Sequence, residues 1–167
     1  GHMGLPDGSQ WHEGVELLKK VPVAAGIMGS VAGAPAAYAL MSHFTVMVKE
    51  QSQIFPSGPP VVRRAIGETL NKEELGGYRM HVHDSGQVDN VADTEEEAFE
   101  QIKKFISYLP NTTSDVADRV ETGDSPDRRP EELLSIIPPN RKRSYDPRKL
   151  ISLVVDNGDF FEMRRHW

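Results

Sequence analysis

No stretch limits what this chain can become more than Val21-Pro-Val-Ala-Ala-Gly-Ile-Met-Gly-Ser-Val-Ala-Gly-Ala-Pro. Its apolar run, Val21 to Met28, reads as a buried strand, bounded by the turn residues Gly29 and Ser30. Gly33, Ala34 and Pro35 follow, then an apolar helical segment from Ala36 to Met41. Pro35 suits the first turn of that helix, where a missing amide proton costs nothing. A buried strand that enters a helix through small residues leaves backbone N–H groups aimed outward. Such a corner can hold the negative oxygen of a polarised thioester or enolate, and small residues let a carbonyl come close to the amides. The same residues also make a tight packing turn, and chemistry alone leaves the two readings level.

The elements around this stretch follow from pattern. Residues 4–9 form a turn cluster, and Ser9 is placed to cap a short helix reaching Lys20, with Trp11, Val15 and Leu18 on one face. Adjacent His12 and Glu13 do not share a helix face and read as solvated. Phe44 to Val48 reads as a strand buried on both faces, ended by Lys49-Glu-Gln. Gln53 to Pro60 reads as a turn-rich loop, and Pro59-Pro60 start a helix that Gly67 stops. Asn71 is placed to cap a short helix with Glu73 and Glu74 in its first turn, ending at Gly76-Gly77.

Tyr78 to Gly86 alternates and reads as a strand entering a turn, which sets His81 and His83 on one face. With Asp84 beside them a metal comes to mind, but no third ligand stands at a recognisable spacing, so no metal is expected. A lone His43 reads as a hydrogen-bonded structural residue. Thr94 opens the clearest helix, Glu95 to Leu109, in a capping box with Glu97 and with the stripe Ala98, Ile102, Phe105 and Ile106. The polar stretch Asn111 to Pro130 reads as a linker or long loop, and Asp146-Pro147 start a last helix.

Composition closes off several function classes. A formal net charge of -6 argues against nucleic acid as the main partner, and Arg141-Lys-Arg reads as a solvated face. Zero cysteines exclude disulfides, thiolate metal sites and cysteine nucleophiles. No apolar run reaches the length of a membrane-spanning helix. Gly1-His2-Met3 has the look of a cloning scar, and no signal peptide is evident, so an intracellular protein is expected.

Taken in collinear order, Gly29-Ser-Val-Ala-Gly-Ala, Phe44-Thr-Val-Met-Val, Ile54-Phe-Pro-Ser-Gly-Pro-Pro-Val-Val and Glu73-Glu-Leu-Gly-Gly resemble a known family. It is that of the carboxyltransferase (beta) subunits of biotin-dependent acyl-CoA carboxylases, of the propionyl-CoA and methylcrotonyl-CoA types. The resemblance continues through His81, Ser85-Gly86, Tyr145-Asp146 and Phe160-Phe-Glu. It implies the crotonase-like α/β spiral fold. It also implies that residues 4–110 are part of the N-terminal carboxyltransferase domain, 111–144 a linker, and 145–167 the start of a C-terminal domain.

The activity implied is transfer of a carboxyl group from carboxybiotin to the α-carbon of a short acyl-CoA. The family's Gly-Gly pair, whose amides form an oxyanion hole for the thioester, matches Gly33 and Ala34. Its substrate-side positions match Phe55, Ser57, Gly58, Pro59 and His81. Ala34 replaces a glycine, Pro35 replaces a small residue that carries an N–H, and His43 stands where Asp is common. Implied partners are acyl-CoA, a biotin carboxyl carrier protein with its biotin carboxylase subunit, and further copies of the same subunit, in the cytoplasm or the mitochondrial matrix. The family's second oxyanion site would lie beyond Trp167, so the chain as given is expected not to complete carboxyl transfer alone. Two alternatives stand: a crotonase-like acyl-CoA decarboxylase without biotin chemistry, and a non-catalytic relative that binds acyl-CoA or a partner.

Overall fold

The computed structural model describes residues 8–167. The expected cloning scar and the first four residues of the turn cluster lie outside the described residues. The chain forms two compact units, one running to Ala117 and taking in Met163–Trp167, the other Asp118–Glu162.

The first unit is built from a repeated strand–strand–helix step. Helix α1 (Gly8–Leu18) comes first, then β1 (Ala24–Ile27), β2 (Ser30–Ala32) and α2 (Ala34–Leu40). The step repeats as β3 (Phe44–Val48), β4 (Gln53–Phe55), α3 (Pro59–Ile66) and α4 (Lys72–Gly76). A helical segment, Arg79–Asp84, leads to β5 (Asn90–Ala92) and α5 (Glu95–Ser107). In each step the first strand joins one sheet and the second joins another. The sheets are β1-β3-β5, with Ala24 opposite Phe44 and Val46 opposite Asn90, and β2-β4, with Ser30 opposite Gln53; every pairing is parallel. Parallel strands need crossover connections, and the helices supply them.

Burial explains the order of the large sheet. All five residues of β3 are buried, as expected for the middle strand of a parallel sheet. Phe44 stacks on Phe105 of α5 with ring centroids 5.0 Å apart. Each such side chain contributes about 1.5–3 kcal/mol through burial. Ile27, Met47, Ile54, Tyr78, Val82 and Val88 form the core beneath α2. Ser52 stitches the step between sheets: its hydroxyl donates to the Ile27 carbonyl and accepts from the Val48 amide at 3.2 Å. His43 is structural, as its isolation implied: Nδ1 accepts from Val23 N–H at 3.1 Å, and its own amide returns a bond to Val23 O at 2.9 Å.

Several expectations need correction. The strand over Val21–Met28 shrinks to Ala24–Ile27, with only Ile27 buried, because it is an edge strand rather than a central one. Ser30, read as a turn residue, opens β2, and Gln53–Phe55, read as loop, form β4, the two short strands of the second sheet. The segment after Gly77 is helical, not extended, so His81 and His83 do not share a strand face. Ser9 falls inside α1, which ends at Leu18. The box at Thr94 is half formed: Thr94 accepts from Glu97 N–H, but Glu97 accepts from Asp93 N–H. Asn71 and Glu74 do form the full reciprocal box.

The second unit is held mainly by polar ties. Helix α6 (Pro147–Val154) starts on Asp146, whose carboxylate accepts from Arg148 N–H at 3.0 Å, and Arg148 reaches Glu162 at 2.8 Å. Asn157, at φ 52°, is held by Asp124 through its amide at 2.8 Å.

Candidate active site

The corner singled out by sequence exists. Gly33 adopts φ 72° and ψ −137° and turns the chain from β2 into α2, with Pro35 in the first turn. That left-handed φ is the reason for glycine, since no neighbour lies within 4 Å of the Cβ it lacks. One expectation is corrected: the Gly33 amide is not available to a ligand, because it extends the small sheet by donating to Phe55 O at 3.2 Å. The Ala34 and Ala36 amides stand in the first turn of α2, where a helix offers no carbonyl partner, and no side chain caps them. Pro35 interrupts the pair, and Ala37 is the first amide to close the helix, onto Gly33 O at 3.2 Å.

A cavity of about 320 Å³ opens beside this corner. Gly33, Ala36, Ala37 and Leu40 form one wall, Ile54, Phe55 and Pro56 another, and His81 and Gln87 complete it. Of the residues expected near substrate, Gly33, Phe55 and His81 come together here. Ser57, Gly58 and Pro59 are not among its walls: Gly58 starts α3, and its α-carbon backs onto the Phe55 ring. Ala36, Leu40 and Gln87 were missed in the sequence. Ala36 and Leu40 lie four apart on one face of the apolar helical segment, a spacing that the sequence carries.

His81 is 5% exposed, and its Nε2 lies 2.6 Å from Ile54 O. A carbonyl only accepts, so Nε2 carries the proton in this assignment. Its Nδ1 is buried with no partner. The two glycines before it fit the same place. A Cβ on Gly76 would lie 2.3 Å from Ile54 O, and one on Gly77 would lie 2.2 Å from the Glu73 carboxylate. Gly76 lets α4 approach β4, whereas Gly77 leaves room for Glu73 of α4 itself. Beside them, Ser30 Oγ donates to Gln53 Oε1 at 2.5 Å, and Gln53 Nε2 donates to Glu73 Oε2 at 3.2 Å, tying α4 to the small sheet.

A second, more polar cleft of about 640 Å³ lies at the other histidine. There His83 Nδ1 donates to His166 O at 3.2 Å, and Lys49 pairs with Asp93 at 3.0 Å, a bond that holds the Lys49 ammonium above the ordinary lysine value. Among the described residues no group of three or more potential ligands is arranged to hold a metal, and no helix is long and apolar enough to cross a membrane.

Comparison with known proteins bears on what this corner serves. Residues 8–167 match the model of the carboxyl transferase domain. The chain is 34% identical over 157 residues to methylmalonyl-CoA decarboxylase subunit alpha of Veillonella parvula, covering 94% of this chain and 31% of that protein. It is 35% identical over 154 residues to the carboxyltransferase subunit of propionyl-CoA carboxylase of Haloferax mediterranei, covering 92% of this chain and 30% of that one. Among solved structures, transcarboxylase 12S with hydrolysed methylmalonyl-coenzyme A bound, described as a hexamer assembly, superposes with a TM-score of 0.86 at 32% identity. That match covers 95% of this chain and 31% of the other. The fold is therefore the crotonase-like α/β spiral, present as a partial domain, and the chain spans about a third of the length of the relatives it matches.

Proposed function

This chain belongs to the carboxyl transferase domain family, and on that premise we propose that it supplies the thioester-binding corner of a biotin-dependent acyl-CoA carboxyltransferase. In this reading residues 4–110 belong to the first domain, 111–144 to the linker and 145–167 to the start of the second. The observation that carries the reading is that Ala36, whose amide stands in the uncapped first turn of α2, lines an apolar cavity that begins at Gly33; Ala34 stands in the same turn but is not among the cavity walls.

The mechanism follows from that arrangement. The apolar walls, Leu40 and Phe55 among them, exclude water and strengthen any hydrogen bond made inside. The amide dipoles favour the form of the thioester in which negative charge has moved to oxygen, which lowers the cost of an enolate at the α-carbon. Carboxybiotin on a separate carrier would supply both the carboxyl group and the base, so no general base is required of this chain's own residues. A cavity of this size, with Gln87 and His81 among its lining residues, fits an acyl or ureido group. The acyl-CoA, the biotin carrier and assembly with further copies enter as parts of this proposal, since the relatives are about three times longer.

Calorimetry of the chain with propionyl-CoA and with free coenzyme A tests the reading. A preference for the thioester is expected, and equal binding removes the oxyanion role. A second reading is acyl-CoA decarboxylation without biotin chemistry, favoured by the Veillonella relative's name. Turnover of methylmalonyl-CoA that free biotin stimulates supports carboxyl transfer, whereas biotin-independent turnover supports decarboxylation. A non-catalytic relative is favoured by the occupied Gly33 amide and by Pro35, and it predicts no acyl-CoA binding at all.

A further inference from the structure

The sequence puts a histidine where a substrate contact is expected, yet the structure closes both of its nitrogens to a ligand. Nε2 is taken by Ile54 O at 2.6 Å, and Nδ1 is buried without a partner. His81 therefore acts on something other than substrate. Its partner is a carbonyl of β4, and the next carbonyl along that strand, Phe55 O, holds the Gly33 amide at 3.2 Å. Two hydrogen bonds on consecutive residues thus run from a buried imidazole to the residue that turns β2 into α2.

We propose that His81 is the positioning residue of the corner. By fixing Ile54 O it sets the height of β4, and through Phe55 O it sets the direction in which the first-turn amides of α2 point. The inference rests on the thioester-corner reading, but its structural half stands or falls separately.

The surroundings suit this role. Gly76 passes so close to Ile54 O that β4 cannot move toward α4. His81 blocks the carbonyl from the helical segment Arg79–Asp84, whose own place is fixed by His81 N–H to Gly77 O at 3.3 Å and Val88 N–H to His81 O at 3.1 Å. Only β2, with its short pairing to β4, is left to follow any displacement. The orphaned Nδ1 fits a residue retained for one nitrogen. A buried acceptor with no donor is unfavourable, and only the Nε2 contact gives a reason to keep it.

Side-chain geometry provides the test. Glutamine carries its amide nitrogen as many bonds from Cβ as His Nε2, whereas asparagine carries its own at the distance of Nδ1. His81→Gln should keep the bond to Ile54 O, and His81→Asn should lose it. Two measurements on the 167-residue chain decide the matter. The first is hydrogen exchange of the Gly33 amide relative to amides of β3; it should quicken about tenfold in His81→Asn and stay at the wild-type rate in His81→Gln. The second is the affinity for propionyl-CoA over its thioether analogue, which lacks the carbonyl; that preference should fall about tenfold in His81→Asn and return in His81→Gln. A folded His81→Asn with unchanged exchange at Gly33 overturns the proposal, as does a His81→Gln that behaves like His81→Asn. Should His81→Asn not fold, His81→Gln still decides, because wild-type values in both measurements are required of it. If the wild-type chain shows no thioester preference, the corner reading fails while the exchange data still judge the link from His81 to Gly33.

Discussion

The two parallel sheets of the first unit are assembled with different emphasis. In β1-β3-β5, side chains hold the strands: β3 buries all five of its residues, and Phe44 stacks on α5. In β2-β4, Ile54 and Phe55 are buried too, but a missing side chain and polar groups fix the fit: Gly76 admits α4, Gln53 bridges Ser30 and Glu73, and His81 grips Ile54 O. The first arrangement depends on volume and the second on clearance. A site that must hold backbone amides at fixed directions is better built on the second, because hydrogen bonds and close approach specify angles whereas apolar packing specifies only fit.

This contrast can be broken from either side. Phe44→Ala should cost the most, about 3–5 kcal/mol by chemical denaturation, because it leaves a cavity in the larger sheet. It should shift stability without altering the exchange of the Gly33 amide relative to its neighbours. Gly76→Ala comes next. Its new methyl would lie 2.3 Å from Ile54 O and 2.7 Å from the Phe55 ring, a conflict expected to cost about 1–3 kcal/mol or more. Gly29→Ala is its control, since no atom lies within 4 Å of the added Cβ, and it should stay within about 0.5 kcal/mol of wild type. If the two glycine variants are equally stable, clearance does not govern the small sheet.

Asn71→Ala removes the reciprocal cap of α4 and should cost about 1 kcal/mol in thermal unfolding, loosening the small sheet through its covering helix. The smallest effect lies away from both sheets. Lys19 holds the Glu16 carboxyl below its ordinary value, so this pair contributes stability above the carboxylate range and loses it as pH falls through Glu16's lowered value. The pair is exposed and screened by salt. Glu16→Gln should therefore lower the melting temperature slightly near neutral pH, and by progressively less as pH falls through Glu16's lowered value.

What the sequence made legible divides along the same line. β3, α5 and the caps at Asn71 and Asp146 were readable because apolar period and cap chemistry are local properties. The three-residue strands β2 and β4 were not, because neither carries enough residues to show a period, and their pairing joins positions far apart in the chain. Alternation misled at Tyr78–Gly86: His81 and Val82 face the core while Arg79, His83 and Asp84 do not, a pattern that a wide helical turn can also produce. The corner at Gly33 was located by its small residues and Pro35. Which amides it leaves open was invisible, since that depends on Phe55 O arriving from another strand. The resemblance identified the family, while the occupied amide and the enclosed histidine needed coordinates.

The crossover topology bears on how the molecule is made. β3 is flanked by β1, which is synthesised before it, and by β5, which begins at Asn90. Until that segment has left the ribosome, one edge of Phe44-Thr-Val-Met-Val stays open, a run without a charge, a glycine or a proline. Such an edge is a template for the wrong neighbour. The nascent chain therefore passes through an interval in which its most apolar strand has one unpaired edge, and a pause in translation between Val48 and Ala92 should raise aggregation more than the same pause after Ser107.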